Sequence, residues 1–371
     1  MTFSPAAQQN DYVIAPAEGP SAESAPRQLN ERFIRACRRE AVDATPVWFM
    51  RQAGRYMGEY RTIRQRYTLL EICAQPELAA AVTLQPVNAI DVDAAIVFSD
   101  LLLPFTPMGL SFDFVKGEGP QIENPIRSAA GVDELRRFEP RESLGHVLET
   151  IRLLRRELDG RLPLIGFGGA PFTLASYAIE GGPSKSFERT KAFMYSEPAA
   201  WHRLCGHFAE MMSEYLRAQI EAGAQALQIF DSWAGALGRP DYREFALPHS
   251  KRIFDSLAAT GVPLIHFGVG TTPILRDLTE AGGDVIGLDW RQPLDDAWAA
   301  VGRDRGVQGN LDPAVLLGPA ERMLAAADDV LNRAGGRPGH IFNLGHGILP
   351  STPLESVQAL ARHVHTRTAR P

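Results

Sequence analysis

Eight short apolar runs recur along this sequence, and stretches with a helical pattern separate them. Each run is nearly continuous in apolar residues, which is typical of parallel strands covered on both faces. Strands that alternate with helices favour an α/β fold, a single (β/α)₈ TIM barrel, with a doubly wound open sheet as the competing arrangement. The runs span residues 46–50, 94–98, 163–167, 226–230, 263–267, 285–288, 307–310 and 340–344.

The stretches between the runs carry the spacing of amphipathic helices. Apolar residues recur every three or four positions from Leu204 to Tyr215, and only Gln219 breaks this stripe, so a core-facing helix is predicted. Pro248 is expected to kink or split a helix over residues 242–257. The glycine- and proline-rich stretch 101–141 is either an elaborate loop over the barrel mouth or an excursion with a hairpin of its own.

Length and composition narrow the class of protein. With 371 residues, 45% of them hydrophobic and 22% charged, the chain fits one large barrel or two medium domains. The net charge of −6 argues against a general nucleic-acid-binding protein. The three cysteines are scattered and form no CxxC pair, so we expect a reducing compartment and a cytoplasmic protein.

The first 28 residues differ from the rest in composition. They are rich in Pro, Ala, Ser and Glu, and they lack the basic start and apolar core of a signal peptide. No apolar run approaches the roughly 20 residues needed to span a bilayer, so no membrane association is expected. We predict a disordered tail over residues 1–28 and a single barrel over residues 29–371.

Arginine is concentrated directly after the first run. Five arginines and one acid, Glu59, lie between residues 51 and 66 of a chain that is acidic overall. Arg51 and Arg55 are four residues apart in a stretch that contains glycine. Because a guanidinium keeps its charge and its planar fork matches a carboxylate or phosphate, this segment is expected to hold a polyanionic ligand.

Polar side chains also follow the later runs, where the mouth of a barrel would bring them together. Several have structural alternatives: Asp100 as a helix cap, Tyr177 as a core tyrosine, and Asp231 and His266 as buried hydrogen-bond partners. His346 lies between two glycines, which are needed where backbone approaches a ligand closely. The strand-end residues are Ser99, Asp100, Tyr177, Asp231, Ser232, Asp289, Asn310, Asp312 and His346.

Motifs for cofactors and metals are missing from the sequence. There is no HExxH, CxxC, EF-hand loop, P-loop or strand-linked GxGxxG, and no lysine stands at a strand end for a Schiff base. We therefore expect neither a cofactor nor a metal. The side chains that remain for chemistry at the barrel mouth are those of arginine, aspartate, tyrosine, serine and histidine.

Six motifs together resemble the uroporphyrinogen decarboxylase family in order and spacing. They are MRQAGRYMGEYR, FSDLL, GGAPFTLASY with a following EGG, the DSWAG turn, QGNLDP and FNLGHGI, and the resemblance runs from about Leu29 to His365. It implies a single barrel, a homodimer, and an enzyme of haem biosynthesis without metal or prosthetic group. Its expected reaction converts the four acetate side chains of uroporphyrinogen III to methyl groups, giving coproporphyrinogen III.

The resemblance also implies roles for individual residues. Asp100 is expected to face the pyrrole NH groups at the macrocycle centre, and Arg51 and Arg55 to bind peripheral carboxylates. Ser232 matches an active-site serine of the family. We hypothesise that Arg51 handles the proton step, with Tyr177 and His346 as alternatives that otherwise bind substrate.

Two other functions are compatible with such a barrel. A corrinoid-dependent methyltransferase needs zinc, typically with a His-x-Cys pair on a late strand, whereas the corresponding stretch here is His266-Phe267-Gly268. A non-catalytic tetrapyrrole-binding barrel is the second alternative. Asp100 counts against it, because a binder has no need of a charge aimed at a transient cation.

Overall fold

All eight apolar runs lie in the wall of one barrel in the computed structural model, which describes residues 29–115 and 119–370. Seven of them form a parallel sheet in the order β1-β4-β5-β6-β7-β8-β9. The predicted tail over residues 1–28 lies outside the described residues. The strands are β1 Ala95–Ile96, β2 Phe112–Val115, β3 Gly119–Ile122, β4 Leu164–Gly169, β5 Ala226–Asp231, β6 Leu264–Gly268, β7 Val285–Gly287, β8 Gly306–Gln308 and β9 His340–Ile341.

The first run, residues 46–50, closes this sheet into a ring. On one side Val47 forms a parallel bridge with Phe342, whose N–H donates to the carbonyl of Pro46 at 2.8 Å. On the other side the N–H of Asp93 donates to the carbonyl of Val47 at 2.7 Å. Both edges of the seven-stranded sheet are therefore joined through one segment, and the (β/α)₈ barrel prediction is confirmed over the open sheet.

Helices surround the barrel and connect its strands. They are α1 Leu29–Cys37, α2 Gly58–Arg64, α3 Leu69–Cys73, α4 Pro76–Ala89, α5 Phe105–Met108, α6 Ala129–Asp133, α7 Pro140–Ser143, α8 Gly145–Glu157, α9 Pro171–Glu180, α10 Glu188–Ser196, α11 Pro198–Ala222, α12 Arg239–Asp241, α13 Leu247–Leu257, α14 Leu275–Ala281, α15 Leu294–Val301, α16 Ala320–Ala334 and α17 Leu354–Thr368. None of the helices in the described ranges is both long and apolar enough to cross a bilayer.

The apolar stripe of α11 faces the core as predicted. Leu204, Phe208 and Tyr215 are all buried. Gln219, the polar break in the stripe, is buried as well, and its side-chain amide bonds both the N–H and the carbonyl of Phe167 at 2.9 Å. A polar residue is tolerated there because both of its hydrogen-bonding groups are satisfied by β4.

Two irregular stretches, residues 242–257 and 101–141, have structures that the sequence analysis considered. Pro248 lies in the first turn of α13, where its missing N–H costs no helical bond, and a π-helical turn, Tyr242–Ala246, precedes it. The helical stretch over 242–257 is therefore split. Within 101–141, β2 and β3 pair as an antiparallel hairpin, so this excursion has a hairpin of its own.

The barrel interior is filled, and its N-terminal opening is covered. Inward residues such as Trp48, Ile165 and Val285 form one buried cluster with Phe33 and Cys37 of α1. A buried chain of hydrogen bonds runs from Trp48 Nε1 to Gln308 Oε1 at 2.9 Å, and Gln308 Nε2 continues it to Gln228. Since α1 covers the bottom, the C-terminal mouth is the face that remains for a site.

A charged network ties helices α1 and α17 to the seam where the barrel closes. Arg32 of α1 donates from Nη1 to the buried Asp93 at 2.6 Å and from Nε to Asp43 at 2.8 Å. Asp93 also accepts from the backbone N–H of Val47 at 2.6 Å and contacts Nε2 of His365 at 2.7 Å. Loss of any member leaves a buried carboxylate short of partners, which is costly in a low-dielectric interior.

Because of this network, we expect the free energy of unfolding to fall at alkaline pH. Burial lowers the pKa of His365, but the carboxylates of Asp91 and Asp93 outweigh it and raise the pKa to about 9. Because an unfolded histidine titrates near 6.5, the stabilisation is complete below about pH 6.5 and is lost as pH rises through 9. We expect His365→Gln to lower the free energy of unfolding by about 2–3 kcal/mol at pH 6.5 and by little at pH 10.

Urea denaturation of both proteins across this pH range measures the effect. His363→Gln is the matched control, because His363 lies on the same helix and pairs with the half-exposed Asp328 at 2.9 Å. A pH-independent difference between wild type and His365→Gln would contradict the assignment of this charge to the seam.

Candidate active site

The polar residues that follow the strands meet at the C-terminal mouth of the barrel. Arg51 follows the first run, Asp100 follows β1, and Tyr177 lies in α9 after β4. Ser232 follows β5, and His346 follows β9. The strand ends of a barrel share one rim, so residues separated by almost 300 positions come together there.

Arg51 lies directly across the loop that carries His346. A Cβ built on Gly347 would be 2.5 Å from Cδ and 2.7 Å from Cγ of Arg51, so only glycine leaves room for this side chain. Arg51 itself has a left-handed backbone with φ 59°, which is unusual for a residue other than glycine. Such strained conformations are concentrated at functional sites.

His346 is held neutral near pH 7. Burial, together with the positive charges of Arg51 and Arg291, lowers its pKa to about 4. The other glycine of its motif, Gly345, adjoins the turn after β7: a Cβ there would be 2.3 Å from the backbone nitrogen of Trp290. The glycines on both sides of His346 thus make room for neighbouring parts of the protein itself.

Asp100 combines a local turn with an unusual carboxyl group. Its Oδ1 accepts a hydrogen bond from the N–H of Leu102 at 2.9 Å, so it caps the turn that precedes α5. Burial raises the pKa of Asp100 to about 6, although the Leu102 N–H and the charge of Arg51 both lower it. A carboxylate that is costly to ionise when alone gains most from a ligand with N–H donors or positive charge.

Tyr177 belongs to an aromatic wall of the mouth. Its ring stacks on Trp233 with centroids 3.9 Å apart and planes tilted by 32°. Phe187, which has a left-handed φ of 56°, packs edge-on against Trp233 with ring centroids 5.1 Å apart. Burial and then the charge of Asp100 raise the pKa of Tyr177 to about 12, against the opposing charge of Arg51, so its hydroxyl stays protonated.

Four of the six predicted site residues are therefore connected through one guanidinium. The charge of Arg51 lowers the pKa of Asp100, Tyr177 and His346 alike. Ser232 adjoins Trp233 in the turn after β5 and makes no side-chain hydrogen bond within the described residues.

Arg55 is the less closely connected arginine of its pair. It is exposed, and its carbonyl accepts from Nη1 of Arg61 at 3.0 Å. Burial raises the pKa of Tyr60, and the charge of Arg55 is one of the smaller opposing effects. Among the described residues no hydrogen bond or ion pair joins it to Asp100 or His346. The structure thus places Arg55 beside the mouth's first loop without linking it to the other site residues.

Asp231 is structural, in agreement with the sequence analysis. It is fully buried and accepts from the hydroxyl of Thr173 at 3.2 Å, and that hydroxyl in turn accepts from the N–H of Trp233 at 3.3 Å. His266 is buried too, with Nδ1 3.2 Å from the carbonyl of Gly282. Asp231 therefore anchors the turn of Ser232 and Trp233 to α9, the helix that carries Tyr177.

The sequence analysis missed the Trp290-Arg291 pair at the end of β7. The guanidinium carbon of Arg291 lies 4.1 Å from the centre of the Trp290 ring, and that ring meets His346 edge-on at 6.4 Å. Their position directly after Asp289, a residue already noted at a strand end, was the available signal. The mouth therefore carries more than the two arginines of the first loop.

None of the three cysteines lies on or directly after a barrel strand, whereas a zinc-dependent methyltransferase carries a thiol ligand on a late strand. Cys37 ends α1, Cys73 ends α3 and Cys205 lies within α11, and all three are buried and free. Burial raises the pKa of each thiol, which disfavours the thiolate that binds zinc. No three His, Cys, Asp or Glu side chains of the described ranges group as metal ligands.

Comparison with known proteins gives one consistent result. The family model for uroporphyrinogen decarboxylase (URO-D) matches residues 28–367. The uroporphyrinogen decarboxylase of Sorangium cellulosum is 58% identical, over 91% of this chain and 97% of the relative, and that of Thermus thermophilus is 56% identical, over 89% and 96%. A solved methyltransferase from Methanosarcina mazei aligns with a TM-score of 0.73 at 21% identity, over 91% and 98% of the two chains, a similarity of fold alone.

Proposed function

This chain belongs to the uroporphyrinogen decarboxylase family, and from that premise we propose that it is a carboxy-lyase acting on uroporphyrinogen III. It converts the four acetate side chains to methyl groups and releases coproporphyrinogen III and CO₂, a step of haem biosynthesis. The single observation that carries this proposal is the half-buried carboxyl of Asp100 near Arg51, whose charge also acts on Tyr177 and His346.

The substrate itself supplies the electron sink. A pyrrole ring carbon next to the one that bears the acetate takes up a proton, which leaves an iminium-like cation. Cleavage of the bond to the carboxylate releases CO₂, and the electron pair neutralises the cation as an exocyclic methylene forms. Protonation of the methylene gives the methyl group, and loss of the added ring proton restores the aromatic pyrrole. The net change replaces CO₂ by one proton.

Asp100 is the residue to which we assign stabilisation of that cation. Its anion accepts hydrogen bonds from the pyrrole NH groups, and its charge acts most strongly when positive charge develops in the ring. A reduced porphyrinogen turns four NH groups inward, whereas an oxidised porphyrin is flat and has only two. The same carboxylate therefore selects the reduced macrocycle.

Arg51 is the residue to which we assign the proton step. An arginine side chain is a poor acid in general, so delivery through an ordered water is the simplest route. His346 is neutral and Tyr177 is protonated near pH 7, so each offers a hydrogen bond without a charge. We assign both of these residues, with Arg55 and Ser232, to binding and orienting the substrate carboxylates.

The broader setting is part of the same proposal. Residues 29–371 act as one barrel domain that works as a homodimer in the cytoplasm, with residues 1–28 as a tail. A small tetrapyrrole is the partner, and neither nucleic acid nor membrane is bound. The net charge of −6 and the three unpaired cysteines support this setting.

Anaerobic turnover tests the function directly. Purified protein is incubated with uroporphyrinogen III in the dark, and the products are oxidised and separated by carboxyl number. We expect porphyrins with four carboxyl groups to accumulate, with release of CO₂. Unchanged eight-carboxyl substrate, under conditions where the protein is folded, would show that this barrel is a binder and not a decarboxylase.

A further inference from the structure

We propose that Arg291 is a carboxylate-binding residue of the mouth. The turn after β7 holds it near His346, where it binds a side-chain carboxylate of the substrate. This inference rests on the proposed function and names an additional residue of the same site. Neither the six motifs of the resemblance nor the arginine-rich segment 51–66 includes this position.

The turn of Arg291 and the loop of His346 are in direct contact. A Cβ on Gly345 would be 2.3 Å from the nitrogen of Trp290 and 2.9 Å from the carbonyl carbon of Asp289, so the two backbones touch without intervening side chains. Trp290 then presents its ring to the edge of His346 at 6.4 Å. Arg291 therefore shares the rim with His346 and is not part of the outer helical layer.

The turn is also rigid. The side-chain amide of Asn310 donates to the carbonyls of Asp289 at 2.8 Å and Gln292 at 2.7 Å, which holds both ends of the Trp290-Arg291 pair. The buried carboxylate of Asp289 accepts from the backbone N–H of Arg291 at 2.8 Å and from Gly270. A guanidinium on such a turn loses little freedom when it binds a ligand.

One edge of the Arg291 guanidinium remains available. Nη1 donates to Asp289 at 3.0 Å, while the described residues offer no partner to Nε and Nη2, and the side chain is 49% exposed. Nε and Nη2 together form the edge that binds a carboxylate with two parallel hydrogen bonds. Arg32 shows this arrangement elsewhere in the protein, with Nη1 on Asp93 and its Nε–Nη2 edge on Asp43.

The local charge favours an anion at this place. Arg51 packs against Gly347 of the His346 loop, and Trp290, the residue before Arg291, packs against Gly345. Burial and both arginines lower the pKa of His346 against the opposing charge of Asp289, so the imidazole is neutral, and the two guanidinium charges outnumber the one carboxylate. A substrate carboxylate there meets a free guanidinium edge beside a neutral imidazole.

Binding and kinetics of three variants test the proposal. Arg291→Gln is expected to raise KM for uroporphyrinogen about 10-fold, with kcat within about twofold of wild type. The KM of Arg291→Lys should lie between those of wild type and Arg291→Gln, because lysine keeps the positive charge but cannot form two parallel hydrogen bonds with a carboxylate. Arg333→Gln is the control, since Arg333 is a partly exposed arginine paired with Asp295 and Asp329 on the outer helices.

A binding measurement separates this proposal from the function on which it rests. Anaerobic titration of tryptophan fluorescence gives the Kd of uroporphyrinogen in an Asp100→Asn background, where turnover is suppressed. A Kd and KM unchanged by Arg291→Gln, or a fall in kcat alone, would overturn the role of Arg291 while leaving the decarboxylase intact. Failure of wild type to form product would instead overturn the function, whatever the Kd values.

Discussion

Asparagine in place of Asp100 is expected to lower kcat for uroporphyrinogen by about 10²–10³-fold, the usual cost of removing one preorganised charge-stabilising group. The amide keeps the oxygen that accepts from Leu102, so the turn stays formed. It loses the negative charge to which we assign stabilisation of the cationic ring. Anaerobic initial rates, with products separated by carboxyl number, measure the effect.

The pH profile gives a second signature of the same residue. Because the pKa of Asp100 is raised to about 6, the active carboxylate form dominates above pH 6 and is lost below it. We expect kcat/KM of the wild-type free enzyme to fall as pH drops through 6. The residual activity of Asp100→Asn should lack this acidic limb.

Stability should change in the opposite direction from activity. A carboxyl whose pKa is higher in the folded than in the unfolded state destabilises the fold progressively as pH rises from about 4 to about 6, and fully above pH 6. Asp100→Asn is therefore expected to raise the free energy of unfolding by about 1–2 kcal/mol at pH 7.5 and to change it little at pH 4. The exposed Asp113 of the hairpin provides the control variant, Asp113→Asn. An Asp100→Asn enzyme with more than a tenth of normal turnover would refute the role of this charge.

Lysine in place of Arg51 is expected to lower kcat by about 10²-fold, within the usual contribution of a positioned proton-transfer group. Lysine keeps the positive charge, so the pKa of His346 stays low and the local field is preserved. Lysine, like arginine, has to adopt the left-handed backbone conformation at this position, with φ 59°. What it loses is the planar guanidinium that lies across Gly347, and with it the placement of the proton.

His346→Asn provides the comparison for Arg51→Lys. The histidine is neutral and is assigned to binding, so its replacement should raise KM and leave kcat closer to normal. Steady-state kinetics of both variants with the same substrate preparation distinguish the two roles. Near-normal kcat with weaker binding in Arg51→Lys would show that Arg51 binds carboxylates and that another group delivers the proton.

Features that depend on neighbouring residues in the chain were predictable from the sequence. The runs at 226–230 and 263–267 appear as β5 and β6 because parallel strands covered on both faces need continuous apolar residues. Pro248 splits its helix because it lacks an N–H, whatever surrounds it. The glycines beside His346 were also noticed, but what they adjoin, Arg51 on one side and Trp290 on the other, could not be inferred.

By itself, therefore, the sequence determined the alternation of strands and helices and the motifs that follow the strands, and it favoured a barrel over an open sheet. The spacing of apolar residues along the chain carries this information, because a strand or helix that is buried on one or two faces needs apolar residues at fixed intervals. The tertiary structure alone decided the pKa of Asp100, the neutral state of His346, the role of Asp231 behind Trp233 and the place of Arg291. Desolvation and side-chain contact depend on segments far apart in the chain, which meet only when the ring of strands closes.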